Sequence, residues 1–175
     1  MNPKFLNLHL GKYYKKLDIQ TKIGDVYDWV EEITPTLYLE VLIKLKSDKN
    51  FILYKQSTNK NDIVRCYPRI PEDSKIDWSK TNIEIVRLIN SSSKPFSGAF
   101  SFYNGQKIIF EDVEVCFDNE IYYAVPGQIS EINKNEKYIS IITGHGKIKV
   151  TKVFMDNIEY SPTEIVKSIR KRFIN

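Results

Sequence analysis

The stretch from Tyr67 to Phe100, YPRIPEDSKIDWSKTNIEIVRLINSSSKPFSGAF, constrains this chain most, because the spacing of apolar residues changes across it from helical to alternating. Its first part carries Pro68 and Pro71, whose fixed φ and missing N–H favour an extended surface connector over a helix or an inner strand. A helix then starts with a clear signal. Thr81 is placed to cap the backbone N–H of Glu84 while the Glu84 side chain reaches back, a T-x-x-E capping box. Ile83, Val86, Leu88 and Ile89 are its apolar positions, the serines at 91–93 end it, and Pro95 and Gly98 punctuate the approach to a strand.

Downstream the pattern has period two. Residues 99–103 and 106–110 flank Asn104-Gly105, which supplies both positive-φ positions of a type I′ hairpin turn. Further strands are expected at residues 113–117, 121–125, 129–132, 138–142 and 147–155, separated by Pro126-Gly127, Asn133-Lys134-Asn135 and Thr143-Gly144-His145-Gly146. Short strands with such regular turn signals imply a small closed or partly open barrel of the oligonucleotide/oligosaccharide-binding (OB) type. Near the C-terminus Ser161-Pro162-Thr163-Glu164 is a second capping box with Pro at the first helical position. A C-terminal helix is therefore expected, with Ile165, Val166, Ile169 and Phe173 on one face and Lys167, Arg170, Lys171 and Arg172 on the other. Those cations suit a solvated last turn, and contact with a polyanion is the alternative.

Upstream, residues 4–10 (KFLNLHL) alternate over a short span and read as a strand end running into Gly11. Two helices are expected between Gly24 and Lys46. Val26, Val30 and Ile33 mark the first; Thr34 caps the second, with Pro35 at its first position and Leu37, Val41, Leu42 and Leu45 following. This stripe, with Trp29, is expected to pack in a core against a sheet. Short strands are expected at residues 51–54 and 63–66. The fold class is α+β.

Net charge is +4, from 26 basic against 22 acidic residues. That is compatible with an anionic ligand and does not demand nucleic acid. Cys66 and Cys116 form no Cys-x-x-Cys pair, so structural thiols in a reducing compartment are expected. No apolar run reaches membrane-spanning length and residues 1–16 lack a signal-peptide core, so a cytoplasmic protein without a membrane partner is expected. His9 and His145 are the two histidines. Far apart and without cysteine or carboxylate spacing, they predict no metal site, and His145, between glycines, is expected in a solvated turn.

Pro71-Glu72-Asp73, Ile76-Asp77-Trp78-Ser79-Lys80, the helix with Arg87, and Pro95-Phe96-Ser97-Gly98-Ala99-Phe100 together resemble the boundary between the two domains of the 10-formyltetrahydrofolate-dependent formyltransferases. That family includes the methionyl-tRNA and sugar-nucleotide N-formyltransferases. Val125-Pro126-Gly127-Gln128-Ile129 and Thr143-Gly144-His145-Gly146-Lys147-Ile148 resemble its C-terminal domain, where an aspartate usually stands in place of His145. The resemblance implies a truncated Rossmann-like catalytic remnant over residues 1–66, a linker over 67–75 and an OB-like C-terminal domain over 76–175. Phe5-Leu6-Asn7-Leu8-His9 resembles the family's active-site strand with its Asn-x-His motif. By that resemblance Asn7 would hydrogen-bond the formyl oxygen and His9 would handle the proton of the attacking amine. Without this context a lone histidine on a Leu-rich strand reads as a satisfied or surface residue. The family's orienting aspartate segment has no match here. Gly11-Lys12-Tyr13-Tyr14 leads directly to Leu17-Asp18-Ile19-Gln20, and Asp18 and Asp25 are the carboxylates at hand, outside the motif.

The resemblance implies formyl transfer from 10-formyltetrahydrofolate to a primary amine, without implying that this chain carries the reaction alone. Most of the folate-binding half has no match in these residues. Asn90-Ser91-Ser92-Ser93-Lys94-Pro95-Phe96 looks more like the sugar-nucleotide branch, so an amino-sugar nucleotide is the expected acceptor and Met-tRNA the second. The competing expectations are a catalytically silent OB-like module binding nucleic acid or a glycan, with Tyr103, Tyr122 and Tyr123 as stacking residues, and the C-terminal piece of a split formyltransferase. Assembly into a homo-oligomer is left open.

Overall fold

The computed structural model describes residues 6–10, 13–51, 58–59, 61, 67–117 and 120–174, with the backbone alone over 6–10. Strands β1 (Leu6–Leu10) and β2 (Tyr13–Leu17) form an antiparallel ribbon, with Asn7 opposite Lys16 and His9 opposite Tyr14. The ribbon leads into α1 (Ile23–Ser47), one continuous helix where two were expected. Pro35 lacks the N–H that would meet the Glu31 carbonyl, yet the helix runs through it because this turn is exposed and water can satisfy the freed oxygen. Thr34, expected as a cap, donates its hydroxyl to the Val30 carbonyl at 2.6 Å.

The expected packing of the α1 stripe is also corrected. Val26, Val30, Ile33 and Leu37 are half-buried, Val41, Leu42 and Leu45 are exposed, and no α1 residue is buried. The helix lies against the ribbon at Tyr13, whose hydroxyl donates to Glu40 at 3.2 Å, and its far end leaves the remaining protein. Among the described residues before Tyr67 no two strands run parallel. The strand expected at 51–54 falls outside the described residues except for Phe51, and that at 63–66 falls wholly outside them.

Residues 67–70 are extended and exposed, and Pro71–Ser74 then makes one 3-10 turn closed by Asp73, whose carboxylate accepts the Ile70 N–H at 2.9 Å. Ile76 and Trp78 enter the core at once. The capping box forms as expected. Glu84 N donates to Thr81 Oγ1 at 3.2 Å, Thr81 N donates to Glu84 Oε2 at 2.9 Å, and α2 (Asn82–Ser92) follows. Its buried face is Ile85, Val86 and Ile89, while Ile83 and Leu88 lie half-buried at the core's margin.

The sheet comprises β3 (Ala99–Tyr103), β4 (Gln106–Cys116), β5 (Ile129–Asn133), β6 (Tyr138–Ile142), β7 (Lys147–Met155) and β8 (Ile158–Tyr160). Neighbours are antiparallel in the order β3-β4-β7-β6-β5, with β8 on β7. Asn104 and Gly105 take φ of 52° and 80°, the expected I′ geometry. Asp156 and Asn157, at 52° and 63°, turn β7 into β8 in the same way, a hairpin the alternation pattern did not announce. β4 joins two expected strands into one through a bulge at Glu111. Residues 121–125 form no strand, because they run past the sheet with Ile121 and Tyr123 in solvent and no ladder partner.

The sheet is not closed into a barrel. Among the described residues no ladder joins β3 to β5. The gap is laced by the C-terminal segment, in which Ile174 N donates to Phe102 O at 3.0 Å, Phe102 N donates to Ile174 O at 3.2 Å, and Phe173 N donates to Gly127 O at 2.8 Å. The expected C-terminal helix is accordingly cut to one turn, α3 (Pro162–Ile165). Val166 and Phe173 are both buried while Ile169 is exposed, and an extended chain reaches both sites while pairing its backbone with two open edges.

Replacing the cap by Thr81→Ala should cost about 1 kcal/mol of unfolding free energy in urea titration. The partner half of the cap responds to acid. The Thr81 backbone N–H and hydroxyl hold the Glu84 carboxyl below its ordinary value of 4.5. Its contribution is therefore present above that value and lost as pH falls through the folded-state value. The stability difference between the native chain and Glu84→Gln should shrink on acidification below pH 4.5, and a difference that stays constant there refutes this assignment.

Candidate functional site

Asn7 and His9 occupy alternate positions of β1, so the ribbon places both on one face of that strand. Their side chains lie outside the described part of the structure. The two carboxylates at hand are engaged elsewhere. Asp18 Oδ1 accepts from Gln20 N and Thr21 Oγ1, each at 2.9 Å, and the Thr21 hydroxyl leads the effects that lower its carboxyl below the ordinary value. Asp25 accepts the Lys22 N–H at 3.1 Å at the start of α1. One makes a turn and the other a helix start, and both tasks are local.

The segments that carried the resemblance are built into the scaffold. Trp78 is buried, with Nε1 donating to Ser101 Oγ at 2.9 Å. Asp77 Oδ1 accepts from Ser79 N at 3.0 Å and Ser79 Oγ at 2.6 Å. In the turn 143–146 Gly144 N donates to Lys80 O at 2.8 Å, and a Cβ on Gly144 would collide with the Ser79 carbonyl. The His145 carbonyl accepts from Asn82 N at 3.0 Å while its imidazole is exposed, so the turn docks the sheet onto the start of α2 through its backbone. The identity of residue 145 is thereby left open to solvent.

Asn90 to Phe96, whose composition suggested an acceptor, has a structural task as well. Asn90 Nδ2 donates to Ile19 O at 2.7 Å, Ser93 Oγ donates to Asn90 O at 2.8 Å, and the Phe96 ring lies 6.2 Å from that of Tyr27. These contacts seat the N-terminal arm.

The open groups converge elsewhere. A cleft of about 540 Å³ lies between the 104–105 turn and the C-terminal segment, lined by Asn104, Gly105, Val125, Gln128, Arg170, Lys171, Arg172 and Ile174. Among the described residues three cations and no carboxylate line it. Unwinding of the expected helix put them there: Arg172 bridges to Gln128 in the lacing segment, while Lys167 turns away to donate to Thr163 O at 3.0 Å. Of the three expected stacking residues, Tyr103 is corrected to a core residue, its ring 5.1 Å from that of Phe173. Tyr122 lies under Lys147 Nζ at 5.1 Å, which leaves Tyr123 fully exposed beside Ile121 and Val125. Sequence periodicity could not find this cleft, because it exists only where two distant segments meet. Among the described residues no group of three or more His, Cys, Asp or Glu could hold a metal ion, and no helix is long and apolar enough to cross a membrane.

Over residues 69–170 the chain matches the family described as Formyl transferase, C-terminal domain. The methionyl-tRNA formyltransferase of Mycoplasma capricolum subsp. capricolum is 28% identical over 129 residues, which cover 71% of this chain and 39% of that protein. That of Lactococcus lactis subsp. lactis is 27% identical over 128 residues, 73% and 38% respectively. The bifunctional polymyxin resistance protein ArnA of Wigglesworthia glossinidia brevipalpis is 36% identical over 67 residues, 38% of this chain and 10% of its own length. Among solved structures, HypX from Aquifex aeolicus in complex with tetrahydrofolic acid superposes with a TM-score of 0.62 at 15% identity, covering 90% of this chain and 27% of HypX. At that identity the likeness concerns the fold. The chain spans about two fifths of the length of the methionyl-tRNA formyltransferases it matches.

The structural role of the 143–146 turn separates two substitutions. Gly144→Ala should cost about 2 kcal/mol or more in chemical denaturation, because backbone must move to admit the methyl group. His145→Ala should stay within about 0.5 kcal/mol of the native chain.

Proposed function

The chain belongs to the formyl transferase C-terminal domain family, and from that premise we propose that it serves formyl transfer from 10-formyltetrahydrofolate to the amine of a Met-tRNA, with its C-terminal domain holding the acceptor. The basic cleft carries this reading. Arg170, Lys171 and Arg172 with Asn104 and Gln128 suit a phosphodiester backbone, since guanidinium groups bind phosphate oxygens in pairs and side-chain amides add neutral donors. Exposed Tyr123, two residues before Val125 of the cleft lining, offers a face for an unpaired base. In this reading residues 1–66 belong to the catalytic part, 67–75 to the connector and 76–175 to the acceptor-holding domain. Asn7 and His9 keep the roles the resemblance implies, a hydrogen bond to the formyl oxygen and removal of the amine proton. The cations and amides of the cleft suit a phosphate ester better than the pterin ring of the donor.

An amino-sugar nucleotide is the second acceptor. The segment that favoured it, Asn90 to Phe96, is occupied with seating the N-terminal arm, which weakens that preference. A diphosphate would still fit three cations.

Binding of initiator tRNA, followed by fluorescence anisotropy across a salt series, tests the proposal. Affinity should fall steeply with salt, and Arg170→Ala and Arg172→Ala should each lower the slope of log K against log salt by about 1. No tRNA binding at low salt, with an amino-sugar nucleotide bound and displaced by the same substitutions, would move the acceptor to the second class. Binding of tRNA without formyl transfer when donor and Met-tRNA are supplied to the chain would mark it as a binding module.

A further inference from the structure

We propose that Glu111 and Asp112, brought to one side of β4 by its bulge, form a receptor for Lys22, and that Lys22 is the positioning residue that seats the N-terminal ribbon and α1 on the C-terminal sheet. In a regular strand consecutive side chains point to opposite faces, so neighbouring carboxylates cannot both meet one ammonium. Here Phe110 pairs with Val153 and Asp112 with Lys152, and Glu111 between them has no partner on β7. A bulge of this kind re-aims side chains. Lys22 Nζ consequently sits 2.5 Å from Asp112 Oδ1 and 3.1 Å from Glu111 Oε1, across 90 and 89 residues of sequence.

The pair is partly withdrawn from water, with 30% of the Lys22 side chain and 17% of that of Glu111 exposed. Burial opposes the charge on Lys22, yet hydrogen bonds to Asp112 and Glu111 raise its pKa above the ordinary value. Burial likewise opposes the charge on Asp112, and Lys22 and Lys152 together hold its carboxyl below the ordinary range. Lys152 Nζ, 3.3 Å from Asp112 Oδ2 and 3.7 Å from Glu159, holds the receptor from the sheet side. Around this centre the arm also makes neutral contacts, among them the Asn90 amide on Ile19 O, the Tyr27 ring near Phe96, and Ile19 packed against the core. The ion pairs supply direction where those contacts supply adhesion. Since the arm carries Asn7 and His9, the seat sets their distance from the basic cleft. The inference does not depend on which acceptor that cleft binds.

Amide hydrogen exchange on the full chain tests it. Exchange over residues 19–27 should quicken about tenfold in Lys22→Met and equally in the remote double variant Glu111→Gln/Asp112→Asn, with β6 unchanged. Lys22→Arg should restore the native rates. Native exchange at 19–27 in either the lysine or the carboxylate variant overturns the assignment. Acceleration spread equally to β6 also overturns it, because the pair would then support the whole fold and not a seat.

Discussion

A buried indole N–H must find an acceptor, and much of this structure follows from the one that Trp78 finds. Its Nε1 donates to Ser101 Oγ, and Ser101 Oγ in turn donates to Ile174 O at 2.8 Å. Two hydrogen bonds thus join the segment leading into α2, strand β3 and the C-terminal segment. Around them Trp78, Tyr103, Phe110 and Phe173 pack with ring centroids between 5.1 and 5.7 Å apart. Truncating one such ring costs about 3–5 kcal/mol, a large part of the 5–15 kcal/mol by which a domain is stable. The lacing segment is held by this cluster and by its edge pairing.

Function enters through the consequences of that lacing. A C-terminal helix would have set Arg170, Lys171 and Arg172 on a solvated face. The extended segment sets them beside Gln128 and the 104–105 turn, where they share one cleft. The segments that mark the family are those that make this possible: Ile76-Asp77-Trp78 enters the core, Gly127 accepts the Phe173 N–H, and the 143–146 turn holds the sheet against α2. Family membership is therefore written largely in residues whose task is packing, and of the side chains proposed to hold the acceptor only Gln128 lies within those segments.

The N-terminal arm is organised differently. No α1 residue is buried and β2 is at most half-buried, and a two-stranded ribbon is marginal by itself. What seats it is a small set of directional contacts, the Lys22 ion pairs and the Asn90 amide, on the edge of a well-packed domain. The far end of α1 is apolar and in water at Val41, Leu42 and Leu45.

Local chemistry was legible wherever a residue's partner lies within a few positions. The Thr81 cap, the Asn104-Gly105 turn and strands β3, β5, β6 and β7 all follow from such short-range rules, as does the mixed helix and antiparallel-sheet class. The sequence also carried the family, because the packing residues around Trp78 are distinctive in type and spacing. Tertiary structure alone decided that α1 runs through Pro35, that residues 121–125 stay outside the sheet, that the sheet remains open, and that the last segment is extended. In each case the deciding quantity is which long-range edge, cavity or solvent face is free to satisfy a backbone group or bury a ring, and no window of sequence contains that.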